Sequence, residues 1–197
     1  FMVVLPLILA NLVRGNSRIM GFFRTSFYMP VVMSAVVVGM IWTNILGSKG
    51  LVNGMLKAMH LIAKPLPFLT DRWGILFSSM FVTIWLGLGY YMVIYLTALA
   101  NIDESLYEAA ALDGAGPVRT FLSVTIPGVR STMILIMMLS TIAAFRVFNE
   151  VYVLTNGSAG PGGMDITMSM LIEQEGTGIQ ARTGYASAIS LVVLVIV

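Results

Sequence analysis

Residues 107–128, YEAAALDGAGPVRTFLSVTIPG, form a polar stretch that stands between two long apolar runs. The stretch contains Glu108, Asp113 and Arg119, and two further acids stand just before it. Placing these charges in hydrocarbon would carry a large desolvation cost. We therefore expect this stretch to project from a membrane into water.

The composition is that of an integral membrane protein. Of the 197 residues, 58% are apolar and 10% are charged, and the mean hydropathy is +0.92, which is far from the balance of a soluble domain. Three runs contain no Asp, Glu, Lys or Arg: Phe27–Leu46, Gly74–Ala100 and Ser131–Phe145. The first two are long enough to cross about 30 Å of hydrocarbon at about 1.5 Å per residue, and the third is long enough if it continues to Leu154.

We predict that Phe27–Leu46, Gly74–Ala100 and Ser131–Leu154 each cross the bilayer as helices, because backbone groups in lipid must be satisfied within the segment. The ends of the chain, Phe1–Val13 and Thr183–Val197, are also apolar, and we interpret both as truncated spans. The sequence thus predicts an all-α membrane protein, a single domain over residues 1–197 with about six transmembrane helices, five of them visible here.

The charge, the rare residue types and the missing motifs exclude several classes of function. A net charge of +2 without a run of Lys or Arg does not fit a nucleic-acid partner. Cysteine is absent and His60 is the only histidine, which we interpret as a solvated residue. The chain has no GxxxxGK[ST], HExxH or GxSxG motif, so we expect no enzymatic activity, no metal and no cofactor.

The loops on the two sides of the membrane carry five basic residues each, so the positive-inside rule does not orient the chain.

Two further segments are predicted outside the spans. In residues 51–64, LVNGMLKAMHLIAK, apolar residues recur at helical spacing, while Asn53, Lys57, His60 and Lys64 fall on the opposite face, which predicts a helix on the membrane surface. Residues 156–163, NGSAGPGG, have the composition of a loop, and residues 164–175 that of a short surface helix.

The opening stretch contains the start and stop signals of two short helices, over residues 103–127. The first helix begins either at a capping box formed by Ser105 and Glu108 or at Asp103, and Gly114 supplies the left-handed residue that ends it. Gly116-Pro117 begins the second helix, and Pro127 is expected to stop it. Helices this short are unstable alone in water, so either a docked partner or the chain's own membrane domain must hold this hairpin.

The motif in this stretch resembles the signature loop of inner-membrane permeases in binding-protein-dependent ATP-binding-cassette (ABC) importers. That loop reads Glu-Ala-Ala, three residues, Gly, nine residues, and Ile-x-Leu-Pro. Here Glu108-Ala109-Ala110 is followed by Gly114 and then by Val124-Thr125-Ile126-Pro127, with only aliphatic exchanges. The segments GFFRTSFYMPVVMS, GLVNGML, VFNEVYVLTNG and TGYASAIS are similar to the sugar-importing branch, and within it to its maltose-permease F-like members. Asn149-Glu150 and the longer loop at 156–163 depart from that branch.

The resemblance implies that the hairpin is a cytoplasmic coupling loop that inserts into a groove of an ATPase subunit. The coupling residues it implies are Glu108, Ala109, Ala110, Asp113, Gly114 and Pro127. It also implies a bacterial inner-membrane location, a second permease subunit, two ATPase subunits that hydrolyse ATP, and an extracytoplasmic solute-binding protein. The expected function is ATP-driven import of a carbohydrate. The alternatives are import of another polar solute, such as glycerol phosphate, and a membrane scaffold that moves no solute.

A solute path is also predicted from spacing. Thr83, Gly87 and Tyr90 share one face of their helix, and Ser140 lies near the middle of the next span. The Thr83 hydroxyl, the gap at Gly87 and the Tyr90 phenol are groups that could bind a sugar ring, although Gly87 and Tyr90 would equally serve helix packing. Arg146 and Glu150, four residues apart, either mark the substrate path or form an ion pair near the membrane surface without a role in transport.

Overall fold

A computed structural model describes residues 1–177 and 181–197, and this part of the chain contains helices and no β-strand. The all-helical prediction is confirmed. In chain order the α-helices are α1 (Val4–Leu12), α2 (Arg18–Tyr28), α3 (Ala35–Leu46), α4 (Leu51–Ala58), α5 (Arg72–Ala100), α6 (Glu104–Leu112), α7 (Pro117–Thr120), α8 (Ile126–Gly128), α9 (Arg130–Phe145), α10 (Asn149–Leu154), α11 (Met168–Gly176) and α12 (Thr183–Ile196).

The chain folds into two compact units. Unit 1 comprises Phe1–Val32 and Trp85–Ser140, and unit 2 comprises Met33–Ile84 and Thr141–Val197. The prediction of a single domain over residues 1–197 stays a prediction.

Helix α5 confirms the helix predicted over Gly74–Ala100. It has 29 residues, which is about 43 Å at about 1.5 Å per residue, and it is long and apolar enough to cross a membrane. Asp71 caps its start, because the Asp71 Oδ2 accepts hydrogen bonds from the backbone N–H groups of Trp73 (3.2 Å) and Gly74 (3.4 Å).

The core of unit 1 is built from α1, the second half of α5 and the first half of α9. Its buried residues are Leu7, Ala10, Val13, Tyr91, Met92, Tyr95, Leu99, Val129 and Ile136. Gly89 lets α2 approach α5 closely, since a Cβ built there would overlap the backbone carbonyl of Phe27 and lie 2.8 Å from the Tyr28 Cα. Glycine at this position therefore sets the distance between two helices of the unit.

Unit 2 holds α3 against α10 and α11 against α12. A Cβ built on Gly39 of α3 would lie 2.8 Å from the Val153 Cβ of α10. Trp42 packs edge-on against Phe81, with ring centroids 5.2 Å apart. A smaller apolar cluster joins α10 to the following loop and to α11, through Val151, Ala159 and Met170.

The predicted span over Phe27–Leu46 is broken, which corrects the prediction of one continuous helix. Helix α2 ends at Tyr28, a 3₁₀ turn follows over Met29–Val32, and α3 begins at Ala35. The physical reason is Pro30, which has no N–H to continue the α-helical bonding. The candidate span in this region is instead Ala35–Ala58, which includes both α3 and α4.

The predicted span over Ser131–Leu154 is also broken. Helix α9 ends at Phe145 and α10 begins at Asn149, because Val147 and Phe148 turn aside to pack on the cluster around α10 and α11. Before α9, the segment Pro117–Gly128 adds apolar length. Together with α9 it is long and apolar enough to span a membrane, although the two segments meet at a bend of 72°. The described residues thus contain two segments long and apolar enough to span, α3 together with α4 (Ala35–Ala58) and α5, or three if the bent pair counts as one span, besides the shorter apolar α12.

The surface helix predicted over residues 51–64 is shorter than expected. Helix α4 ends at Ala58 because His60 adopts a left-handed conformation (φ 57°). The His60 N–H then donates to the Lys57 carbonyl (3.0 Å) and the Leu61 N–H to the Leu56 carbonyl (3.0 Å), which closes the helix as a Schellman motif. His60 is exposed, in agreement with its interpretation as solvated.

Asn53 was placed on the solvated face of this helix by its spacing, and that assignment is wrong. The side chain is 3% exposed. Its Nδ2 donates to the carbonyls of Gly47 and Leu66, both at 3.1 Å, and its Oδ1 accepts from the Leu66 N–H at 2.7 Å. Asn53 therefore binds the turn before α4 to the chain that follows it.

The remaining two segments of unit 2 agree with their predictions. Residues 156–163 form a loop with a single 3₁₀ turn, Pro161–Gly163, and several of its residues have positive φ. Helix α11 is the short helix predicted within 164–175, and it begins after Thr167, whose Oγ1 accepts from the Met170 N–H (3.3 Å).

We predict that Gly89→Ala lowers the thermal unfolding temperature of the protein in detergent. The added Cβ meets backbone atoms of α2, which cannot move aside as a flexible side chain would, and overpacking of this kind costs about 1–3 kcal/mol. The matched control is Gly54→Ala in α4, where the added Cβ meets nothing within 4 Å. There the change should be neutral or stabilising, by up to about 1 kcal/mol. Equal effects of the two substitutions would contradict the packing role of Gly89.

We also predict that Asn53→Ala destabilises unit 2 by about 1–3 kcal/mol, because it leaves the buried partners of a bridging amide unsatisfied. The control is Asn44→Ala, which removes an exposed amide that bonds only the Met40 carbonyl of its own helix (2.8 Å). Thermal unfolding of both variants in detergent provides the measurement. A melting temperature for Asn53→Ala as high as that of Asn44→Ala would show that the bridge contributes little.

Candidate functional site

The hairpin predicted over residues 103–127 begins with a capped helix. Asp103 is the N-cap of α6, and its Oδ1 accepts a hydrogen bond from the Ser105 N–H at 3.0 Å. This bond to the backbone lowers the pKa of Asp103. Of the two start signals in the sequence, Asp103 is the one used, and Ser105 and Glu108 lie inside the helix.

Helix α6 ends in a left-handed turn at Gly114, as the sequence predicts. Gly114 has φ 69°, its N–H donates to the Ala111 carbonyl (3.1 Å), and the Ala115 N–H donates to the Ala110 carbonyl (2.9 Å). These two bonds define a Schellman motif and satisfy carbonyls that the end of a helix leaves free. A Cβ on Gly114 would meet no atom of this chain within 4 Å.

The second half of the hairpin corrects the prediction that Pro127 stops the helix. Pro117 occupies the first turn of α7, but a π turn follows over Phe121–Thr125 and α8 continues through Pro127 to Gly128. The π turn provides the reason: the Ile126 N–H bonds the Phe121 carbonyl five residues back. A turn widened in this way accommodates a proline ring inside a helix.

The predicted coupling residues all lie on this hairpin. Ala110 is half-buried, and the other five are exposed: Glu108, Ala109, Asp113, Gly114 and Pro127. Beside them lie large apolar side chains that are exposed by 52% to 90%: Leu106, Leu112, Val118 and Leu122. Leu112 is the most exposed of them, and it stands directly before the Asp113-Gly114 turn, although the sequence pattern did not single it out.

The residues predicted to form a solute path are placed as follows. Thr83, Gly87 and Tyr90 all lie on α5. A Cβ on Gly87 would lie 2.8 Å from the Met2 Cε, so the side chain of Met2 occupies the gap. Tyr90 is 47% exposed and packs edge-on against Tyr91 at 5.2 Å.

Ser140 and the charged pair show no shared site. The Ser140 hydroxyl donates to the Met137 carbonyl of its own helix (3.1 Å). Arg146 and Glu150 do not form the predicted ion pair, because the helix that would have aligned them is interrupted between α9 and α10. Within residues 1–177 and 181–197, the salt bridge present joins Arg182 to Glu175, at 3.8 Å. No group of three His, Cys, Asp or Glu side chains in these ranges could hold a metal ion.

Several named proteins are similar in sequence to this chain over most of its length. The chain is 33% identical to the lactose transport system permease protein LacF of Rhizobium radiobacter over 197 residues, which cover 100% of this chain and 66% of that protein. It is 36% identical to the probable ABC transporter permease protein YurN of Bacillus subtilis, over 89% of this chain and 59% of that protein. The chain thus spans only part of the length of these relatives.

A solved structure shows the same arrangement of helices. One chain of a bacterial alginate ABC transporter, crystallised in complex with an alginate pentasaccharide-bound periplasmic protein, matches with a TM-score of 0.83 and 26% identity. The match covers 100% of this chain and 69% of that chain. The family model described as "binding-protein-dependent transport system inner membrane component" matches residues 2–197. The chain therefore belongs to the family of inner membrane components of binding-protein-dependent transport systems.

Proposed function

We propose that this chain is the transmembrane permease subunit of an ATP-driven importer of carbohydrate in the bacterial plasma membrane. The observation that carries the proposal is the hairpin from Asp103 to Gly128. It is locally well formed, with a cap at each end of α6, yet it exposes four large apolar side chains beside a left-handed turn. A shape of this kind is suited to insertion into a groove of another protein.

The chemistry of the hairpin favours an ATPase subunit as that partner. Glu108 and Asp113 are exposed and would meet basic residues of the groove, while Leu112 and Val118 would bury apolar surface in it. The named relatives of this chain are permeases, so we propose that two partner ATPase subunits hydrolyse the ATP. Closure of those subunits would push the hairpin, and the push would enter the membrane domain through the bend of 72° before α9.

The proposed substrate class is carbohydrate. Two relatives are named for sugars: the lactose permease LacF and the arabinooligosaccharide permease AraP, which is 29% identical over 100% of this chain. A solute-binding protein would deliver the sugar on the extracytoplasmic side, and a second permease subunit would complete the path. On this chain the face of α5 that carries Thr83, Gly87 and Tyr90, together with Ser140, is proposed to line it. Import of another polar solute would use the same architecture.

Gly114→Val tests the coupling role directly. The substitution should leave the permease folded and inserted, because a Cβ there meets nothing in this chain, although φ 69° costs a branched residue about 1–2 kcal/mol. We expect weaker ATPase binding and loss of uptake, with Glu108→Ala milder. The measurements are co-purification of the ATPase with the permease and solute-stimulated ATP hydrolysis.

Two matched variants separate backbone from surface effects. Gly116→Ala adds a Cβ on the same hairpin, also in open space, but at φ −70°, so it should retain ATPase binding. Gly114→Asn keeps a residue that tolerates the left-handed conformation, so it reports what the added side chain alone does at the partner surface. Full retention of the ATPase and normal stimulation in Gly114→Val would exclude the hairpin as the coupling element.

Gly87→Leu tests the solute path, measured as uptake at equal membrane expression. The leucine should block uptake if solute passes this face, but it also displaces the Met2 side chain that fills the gap. The double variant Met2→Ala with Gly87→Leu separates the two roles, because it restores room for the leucine. Recovery of uptake in the double variant would assign Gly87 to helix packing, and continued loss would assign it to the path.

A further inference from the structure

Helix α6 is held to its own unit by few side chains. Of its nine residues, only Tyr107 and Ala110 are half-buried, and the others are exposed. The alanine has a single methyl group to contribute. The position of the helix therefore depends mainly on what the tyrosine contacts.

Tyr107 makes two contacts that reach different parts of unit 1. Its hydroxyl lies 3.2 Å from the Thr125 Oγ1, and Thr125 is buried, at 1% exposed, in the π turn. On the ring, the Arg14 guanidinium carbon stands 4.2 Å from the centroid, which is well within the range of a cation–π interaction. A single side chain thus joins α6 to the π turn and to the corner between α1 and α2.

The corner that carries Arg14 is itself fixed. Arg24 of α2 donates to three successive backbone carbonyls beyond the end of α1: Val13 (2.8 Å), Arg14 (3.0 Å) and Gly15 (2.6 Å). Val13 is 4% exposed and belongs to the core of the unit, as Leu99 of α5 does. Arg14 is therefore presented to Tyr107 from a backbone that is anchored in the packed core.

We propose that Arg14 and Tyr107 are a positioning pair that passes the movement of the hairpin to the membrane helices of unit 1. The inference rests on the proposed function as an ATP-driven importer. When a partner pushes α6, the tyrosine ring would move against the guanidinium of Arg14, whose backbone is fixed by Arg24, and its hydroxyl would move the π turn that leads into the 72° bend. Without the pair, α6 would shift on the surface of unit 1 and less of the movement would reach α1 and α9.

The first experiment measures the contact without any transport. In the full-length permease purified in detergent without ATPase subunits, amide hydrogen exchange is followed across α6. Arg14→Gln should speed this exchange by about two- to fivefold, the factor expected for loss of one cation–π contact, and Arg14→Lys should restore most of the protection. The control is Arg18→Gln, which removes an exposed positive charge from the same corner. Equal exchange in Arg14→Gln and Arg18→Gln would overturn the proposal.

The second experiment measures coupling in the assembled transporter, reconstituted in liposomes with its ATPase subunits and solute-binding protein. The readout is solute taken up per ATP hydrolysed, which a mere loss of folded protein does not change. Arg14→Gln and Tyr107→Leu should each lower this ratio, with Tyr107→Leu at least as low as Arg14→Gln because it also removes the contact with Thr125. The double variant should be no lower than Tyr107→Leu alone, because the two residues act through one contact.

The possible outcomes distinguish a failure of the positioning role of Arg14 and Tyr107 from a failure of the proposed importer function. A ratio at the wild-type value in Arg14→Gln, or independent multiplying losses in the double variant, would overturn the positioning role while leaving the importer in place. A wild-type transporter without solute-stimulated hydrolysis would overturn the proposed function, and with it the coupling role. In that case the exchange measurement would still show whether Arg14 holds α6.

Discussion

Backbone hydrogen bonding in an apolar medium is the constraint on which this structure depends. A helix in lipid satisfies its own N–H and C=O groups, and each break frees some of them. This chain breaks its helices repeatedly, and polar side chains complete the backbone hydrogen bonding at several of the breaks. Arg24 donates to three carbonyls after α1, Asn53 bridges the turns on either side of α4, and Asp71 caps the start of α5. Several polar side chains of this chain therefore serve to satisfy backbone groups.

The hairpin follows the opposite pattern. Its backbone groups are satisfied locally, by Asp103 at the start of α6 and by the Gly114 turn at its end, while its apolar side chains remain exposed. Exposed leucines beside a charged surface are unfavourable in water and are not explained by lipid, because the acids beside them would be desolvated there. A protein groove of mixed polarity satisfies both kinds of group. The membrane-embedded and water-facing parts of the chain thus solve two different problems.

This difference explains how much of the structure could be predicted from the sequence. The Asp103 cap, the left-handed Gly114 and the length of α5 follow from residues close to one another in sequence, so local rules predict them. The break within Ser131–Leu154 does not, because residues such as Phe148 leave the helix to pack on distant partners. The break within Phe27–Leu46 has a local cause in Pro30, and a proline near the start of a helix does not by itself predict a break. The continuation of α8 through Pro127 was missed because the local rule assigns proline to a stop, and the rule does not allow for a π turn that accommodates the ring.

The same difference determines where movement can occur. Segments that satisfy their own hydrogen bonds and pack tightly, such as α5, resist bending and move as units, whereas joints with unusual bonding deform more readily. In unit 1 such a joint lies between the hairpin and α9, where the π turn and the short α8 precede a bend of 72°. In the proposed mechanism, a push on the ordered end of the hairpin would therefore be expressed as bending at this joint. The Tyr107 hydroxyl lies 3.2 Å from the Thr125 Oγ1, so the side chain proposed to position α6 would also act on the point where the chain bends towards α9.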